Sequence, residues 1–208
     1  KLVVEKDWDV LLMLDTLRWD YWVKVVVSTP EFQELVDKNI VRTLTPVRTP
    51  AGDTRGWLLY MKKYDLTDIV CITANPEISR RAKKDFKRVI EVWKDGWQTI
   101  NGVPTVPPKP VIDKLLEFLK WKDMKVIAWF MQPHGPYPMH DPPVPVFRAN
   151  PFATKVEVKI AYKEFDKIIL DPKKEIEDPN SPITKELLIS AYESNIHWVW
   201  QEIYNTLL

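Results

Sequence analysis

Cysteine is nearly absent from this sequence: Cys71 is the only one among 208 residues. A single thiol excludes an intramolecular disulfide framework. Its position within the apolar run 69–73 marks it as an inert buried thiol and not a nucleophile. An excess of charge of one sign is also missing. Thirty Lys and Arg stand against twenty-nine Asp and Glu, a net charge of +1, which argues against nucleic-acid binding driven by bulk charge. Long apolar runs are missing too, since the longest, 10–14 and 126–131, fall far short of the roughly 20 residues needed to cross a bilayer. The opening Lys1-Leu2-Val3-Val4-Glu5-Lys6-Asp7 shows no signal-peptide pattern, although the chain does not begin with Met and a trimmed segment would escape notice. These absences predict a soluble, cytoplasmic protein with no membrane span. No repeat or low-complexity tract is visible, and glutamine is scarce beside abundant charge, a composition compatible with a thermophile.

What is present fits one domain, 1–208, large enough to bury a substantial core. The chain is organised around Trp8–Trp22, in which the apolar run Val10–Leu14 has the length of a strand buried on both faces and stops at Asp15, Thr16, Arg18 and Asp20. Ligands collect at the carboxyl ends of strands in open α/β sheets, which puts Asp15 where chemistry is placed. A lone buried carboxylate needs a partner, and a metal ion or Arg18 are the candidates. The plainer alternative makes Asp15 the N-cap of a following helix.

Further along, Val23–Ser28 reads as a short strand or a lead into a helix, and Thr29-Pro30-Glu31 opens a helix ending near Asn39. The Thr-, Pro- and Arg-bearing segment from Arg42 to Gly56 reads as a shaped loop. Asp68–Thr73 predicts a second buried strand, closed by the turn Ala74-Asn75-Pro76. From Ile78 to Trp93 the apolar positions follow helical spacing, with Arg80, Arg81, Lys83, Lys84, Lys87 and Arg88 between them. That cluster is a phosphate-binding surface or, on the plainer reading, a solvated helix face.

Pro108-Lys109-Pro110 leads into a helix carrying Val111 to Leu119. Lys125–Met131 predicts a third buried strand, ending at Gln132-Pro133-His134. The proline-dense stretch from Pro133 to Pro151 predicts a stiff surface loop. Val156–Tyr162 suits an edge strand or a short helix, and Ile168–Pro182 a charged loop. Thr184–Leu208 predicts a helix with one apolar face. Strands separated by helices imply a mainly parallel sheet with helices on both faces.

Four pieces of sequence carry a resemblance: L-L-M-L-D-T-L-R-W-D at 11–20, D-T-R-G-W at 53–57 with D-I-V-C-I-T-A-N-P at 68–76, T-V-P-P at 105–108, and M-Q-P-H-G-P-Y at 131–137. Together they resemble archaeal sulfatase-like proteins of the alkaline phosphatase superfamily. The resemblance implies a three-layer α/β/α sandwich of alkaline phosphatase type and a metal-dependent hydrolase or transferase of phosphate esters, with sulfate esters less favoured. It implies that Asp15 ligates a divalent metal (zinc, manganese or magnesium), that Thr54 is the nucleophile, and that Arg18, Arg55 and His134 bind substrate oxygens. The substrate would be a small-molecule, glycan or lipid ester.

Two departures accompany the resemblance. The Cys/Ser-x-Pro-x-Arg signature of formylglycine sulfatases is absent, which favours phosphoesterase over sulfatase. The Asp-His-Gly segment that supplies further metal ligands in the family is absent as well, and the expectation is a truncated version of the fold that ends before that strand. His140-Asp141 has the reverse order, and His197 falls within a helix. The competing expectation is a catalytically inactive scaffold, acting as a binding or assembly module, that covers exposed apolar surface by homo-oligomerisation. The plainer alternatives for single residues are an N-cap role for Thr54, a turn-bonding role for His134, and core or interface packing for most of the ten tryptophans.

Overall fold

The computed structural model describes residues 8–42, 44, 46, 49–120, 124–144, 146–148, 159–160 and 184–207. In chain order the first elements are β1 (Val10–Asp15), α1 (Trp19–Trp22) with a π-helical turn Val23–Val27, α2 (Pro30–Asp37), α3 (Thr54–Met61), β2 (Ile69–Thr73) and α4 (Pro76–Ala82). They are followed by β3 (Arg88–Glu91), α5 (Trp93–Gly96), β4 (Gln98–Ile100), β5 (Val103–Thr105), α6 (Pro108–Leu119), β6 (Lys125–Pro133), β7 (Val146–Arg148), β8 (Lys159–Ile160) and α7 (Lys185–Leu207). Of the two readings left open for 156–162, an edge strand or a short helix, the described residues 159–160 form a strand, β8, which pairs antiparallel with β7. The rest of that stretch, and the loop expected at 168–182, lie outside the described residues.

Four strands make one parallel sheet in the order β1-β6-β2-β3. Because successive side chains of a strand face opposite ways, each strand feeds two cores. Val70 and Ile72 of β2 and Val126, Ala128 and Phe130 of β6 pack with α2, α6 and α7. Ile69 and Cys71 of β2 and Ile127 and Trp129 of β6 pack with α3 and α4. Helices therefore cover both faces of the sheet. Each fully buried aliphatic side chain contributes about 1.5–3 kcal/mol over an exposed one, and β6, buried almost throughout, is the rigid rail of the molecule.

Three sequence expectations are corrected here. Val10–Leu14 is a strand but is not buried on both faces, because β1 lies at an edge of the described sheet and Leu12 is 38% exposed. The helix expected across 78–93 breaks after Ala82. Val89 and Ile90 instead enter β3, where pairing with Cys71 and Ile72 outweighs the helical periodicity. Asp15 caps no helix: it is the last residue of β1, and Arg18 precedes α1.

Asn101-Gly102, both at positive φ, close the β4–β5 hairpin, a turn that this dipeptide favours. Among the described residues no helix is long and apolar enough to cross a membrane.

Candidate functional site

The carboxyl edge of the sheet gathers four polar side chains. Asp15 ends β1, and the register between β1 and β6 shifts just there, from Leu14 opposite Phe130 to Asp15 opposite Pro133. This irregularity, of the kind that re-aims side chains near sites, brings the chain after β6 beside Asp15. The His134 N–H donates to the Asp15 carbonyl at 3.2 Å. The Asp15 side chain is nearly buried, at 8% exposed for the whole residue.

Thr54 reaches Asp15 from the start of α3. Asp53, and not Thr54, is the N-cap of α3, with its carboxylate accepting the Gly56 N–H at 2.6 Å. Gly56 is required for that closure, since a Cβ there would meet the Ala51 Cβ at 2.8 Å. With Asp53 as the cap, Thr54 is the first helical residue, and its hydroxyl donates to Asp15 Oδ1 over a long 3.5 Å. The N-cap alternative for Thr54 is thereby removed.

Asn75 completes the surroundings of the carboxylate. It caps α4 by accepting the Glu77 N–H on its side-chain oxygen at 2.9 Å, which turns its amide nitrogen toward Asp15 Oδ2 at 2.6 Å. Thr73 steadies the turn, its hydroxyl accepting the Asn75 N–H at 2.9 Å. Sequence reasoning took Ala74-Asn75-Pro76 only as a turn. The overlooked signal was Asn followed by proline at a helix start directly after a buried strand, which puts an amide at the carboxyl edge.

Burial pushes the Asp15 carboxyl above the ordinary carboxylate value, against the opposing influence of the His134 charge and of the hydrogen bonds from Asn75 and Thr54. The Trp129 indole favours the charged form in the same way, although its buried N–H makes no hydrogen bond of good geometry. His134 Nδ1 lies 2.7 Å from the Gly135 carbonyl, which can only accept, so Nδ1 carries the proton and Nε2 is the nitrogen that can take one up. Asp15, Thr54, Asn75 and His134 therefore form a hydroxyl beside a desolvated carboxylate with an imidazole nearby, an arrangement able to move a proton on and off Thr54.

The expected substrate-binding arginines are placed differently. Arg18 makes a two-pronged pair with the exposed Asp20, at 3.0 and 2.7 Å, and its guanidinium lies over the Tyr21 ring. The partners found on the Asp15 carboxylate are Asn75 and Thr54, and the Arg18 partnership expected from sequence gives way to them. Arg55 is exposed, one residue along α3 from Thr54.

A divalent metal would find one carboxylate, one hydroxyl and one imidazole here. Asn75 presents its N–H and not its oxygen. Among the described residues no three of His, Cys, Asp and Glu come together. This donor set does not complete a protein shell for zinc, manganese or magnesium. His140 bonds the Pro142 carbonyl and Ser190, and His197 is exposed on α7, so neither joins the edge. Cys71 is fully buried on β2 and burial pushes its thiol far up, in agreement with an inert role.

Half of the basic cluster expected at 80–88 is held in surface ion pairs. Arg80 and Arg81 bind Glu77, and Lys83 and Lys94 bind Glu91. A cavity of about 410 Å³ lies at the opposite, amino edge of the sheet, lined by Lys62, Tyr64, Asp65, Leu66, Thr67, Lys84 and Asp85, and has no part in the Asp15 cluster.

Set against known protein families, curated proteins and solved structures, the chain finds no match.

Proposed function

We propose that this chain is a hydrolase or transferase of phosphate esters, with Thr54 as the nucleophile and Asp15 as its base, built on a sandwich of alkaline phosphatase type. The contact of Thr54 with a buried, charge-disfavoured carboxylate at the carboxyl edge of a parallel sheet carries this reading. In the step proposed, the Thr54 proton passes to Asp15 as Oγ1 bonds to phosphorus. The bond from phosphorus to the leaving oxygen breaks, and a protonated His134 returns a proton to that oxygen. Water or a second alcohol then gives its proton to His134 as its oxygen bonds to phosphorus, the bond from phosphorus to Oγ1 breaks, and Asp15 hands its proton back to Thr54. Arg55, exposed beside Thr54, is the cation nearest in sequence for the non-bridging oxygens. Sulfate is less favoured, because the Cys/Ser-x-Pro-x-Arg signature of formylglycine chemistry is absent and the single thiol is sealed within β2.

One specific observation favours the scaffold reading as well. Arg18 is engaged by Asp20 and the described residues supply no three-ligand metal set, so the edge lacks the metal site and the free Arg18 guanidinium that the resemblance implies, as a non-catalytic module would.

The deciding experiment measures turnover of p-nitrophenyl phosphate and bis(p-nitrophenyl) phosphate, with added zinc, manganese or magnesium and with chelator. Thr54→Ala and Asp15→Ala serve as controls. Turnover that falls by about a thousandfold in both variants supports the proposal, since single nucleophile or base losses act on that scale. Turnover unchanged in Thr54→Ala, or absent under every condition, refutes it and leaves the scaffold.

A further inference from the structure

We infer that helix α7 is the positioning element of the site, with Tyr192 and Asn195 clamping the Asp15 turn and the His134 loop to one helix face. The inference rests on the reading above of Asp15 and His134 as reacting groups.

The Asp15 turn needs holding. Leu17 N–H closes it onto the Leu14 carbonyl at 3.2 Å, and Thr16 sits inside it at φ 65°. A β-branched residue in the left-handed region is strained, and such a conformation persists only when its surroundings over-determine it. The Tyr192 hydroxyl provides that restraint. It donates to the Thr16 carbonyl at 2.9 Å and accepts the Arg18 N–H at 2.9 Å, gripping the turn on both sides of Leu17.

The His134 loop is held from the same helix. Asn195, wholly buried, donates through its amide nitrogen to the carbonyls of Pro136 at 3.0 Å and His134 at 3.3 Å. Residues 192 and 195 are three apart and so share a face of α7. The two gripped loops are joined to each other by the His134 N–H on the Asp15 carbonyl. The circuit runs from α7 through Thr16 to Asp15, across to His134, and back to α7. A rigid helix thus sets the separation of the Asp15 carboxylate and the His134 imidazole, which neither loop fixes alone. The demand on alignment is steep, because misplacement by about 1 Å can cost roughly a hundredfold in rate.

Amide hydrogen exchange on the full chain tests the clamp without relying on activity. Tyr192→Phe removes only the hydroxyl, and Asn195→Ala removes the second grip. Ile203→Ala makes a cavity farther along α7 and serves as a control matched in global stability. In Tyr192→Phe the expected result is faster exchange of the His134 N–H, which Tyr192 does not touch. In Asn195→Ala it is faster exchange of the Arg18 N–H, which Asn195 does not touch. Each should change by about tenfold, the scale of one lost hydrogen bond, with no such change in Ile203→Ala. If only directly broken bonds respond, or if all three variants respond alike, the clamp is overturned.

With an active chain, both site variants should lower kcat by about tenfold at nearly constant KM while Ile203→Ala leaves kcat unchanged. Absent turnover in the unaltered chain retires the reaction proposed above, and the exchange result still decides the clamp.

Discussion

Two groups of carboxylates in this protein meet opposite fates. Asp15 is buried at the carboxyl edge of the sheet, where desolvation raises its pKa and no cation stronger than the His134 imidazole offsets it. Glu77 and Glu91 lie on the α4–β3 surface, where Arg81 and Arg80 hold the first, and Lys83 and Lys94 the second, below the usual range. All three have hydrogen-bonding partners. Neutral donors around a buried group leave its charge costly, and cations around a half-buried group make charge easy. The protein keeps a reluctant anion beside a hydroxyl, which suits proton transfer, and keeps comfortable anions where they only organise a surface.

The contrast breaks most strongly at Asn75. Asn75→Ala removes both the cap of α4 and the closest donor to Asp15. It should cost about 2–4 kcal/mol, the sum of a lost N-cap and an unpaired buried polar group, read by urea unfolding at neutral pH. Asn75→Asp preserves the cap oxygen and places a second carboxyl on Asp15. It should raise the pKa of the pair further, read by the pH dependence of unfolding.

Asp15→Asn sharpens the comparison from the other side. With its folded pKa raised above the ordinary 3.8, Asp15 holds a proton in the folded chain over a range where the unfolded chain has lost it. Its contribution to stability therefore falls as pH rises from about 3.8 through the folded value, and is level above it. The substitution should stabilise the fold at neutral pH by about 1 kcal/mol, remove that segment of the pH profile and abolish turnover. A loss of stability at neutral pH would show that Asp15 is held as a well-paired anion.

The smallest effect belongs to Glu77→Gln. Its folded pKa is depressed, so its contribution is present above the unfolded value and is lost as pH falls through the folded one. Both partners are well exposed, and solvent screening limits the change to about 0.5 kcal/mol, shrinking further with added salt. A larger, salt-insensitive loss would mean that this surface does more than organise α4.

The polar cluster at the carboxyl edge was partly legible in the residues. The apolar runs of β2 and β6, the stop at Asp15 and the emergence of His134 after a strand are local patterns, and the structure has those elements. Asp53 as the cap of α3 was within reach, being the residue before Thr54 and three before Gly56. The Arg18–Asp20 pair was not read, although two residues so close compete with any distant partner. Asn75, Tyr192 and Asn195 resisted reading for another reason. Their contacts span 60, 174 and 59 residues of chain, and periodicity contains no information about which carbonyl a buried amide will find.

By itself, then, the sequence determined the alternation of strands and helices, the burial of Cys71, the near-zero net charge and the amphipathic character of α7. These follow from hydrophobic spacing and composition, which act within a few turns of chain. Only tertiary structure decided that β1 lies at an edge of the described sheet and that 88–91 is a strand. It alone brought Thr54 and Asn75 to the same carboxylate and laid α7 across both loops. The physical reason is that a buried polar group must be satisfied by whatever the fold brings within about 3 Å of it, and that neighbour is set by packing, not by proximity in sequence.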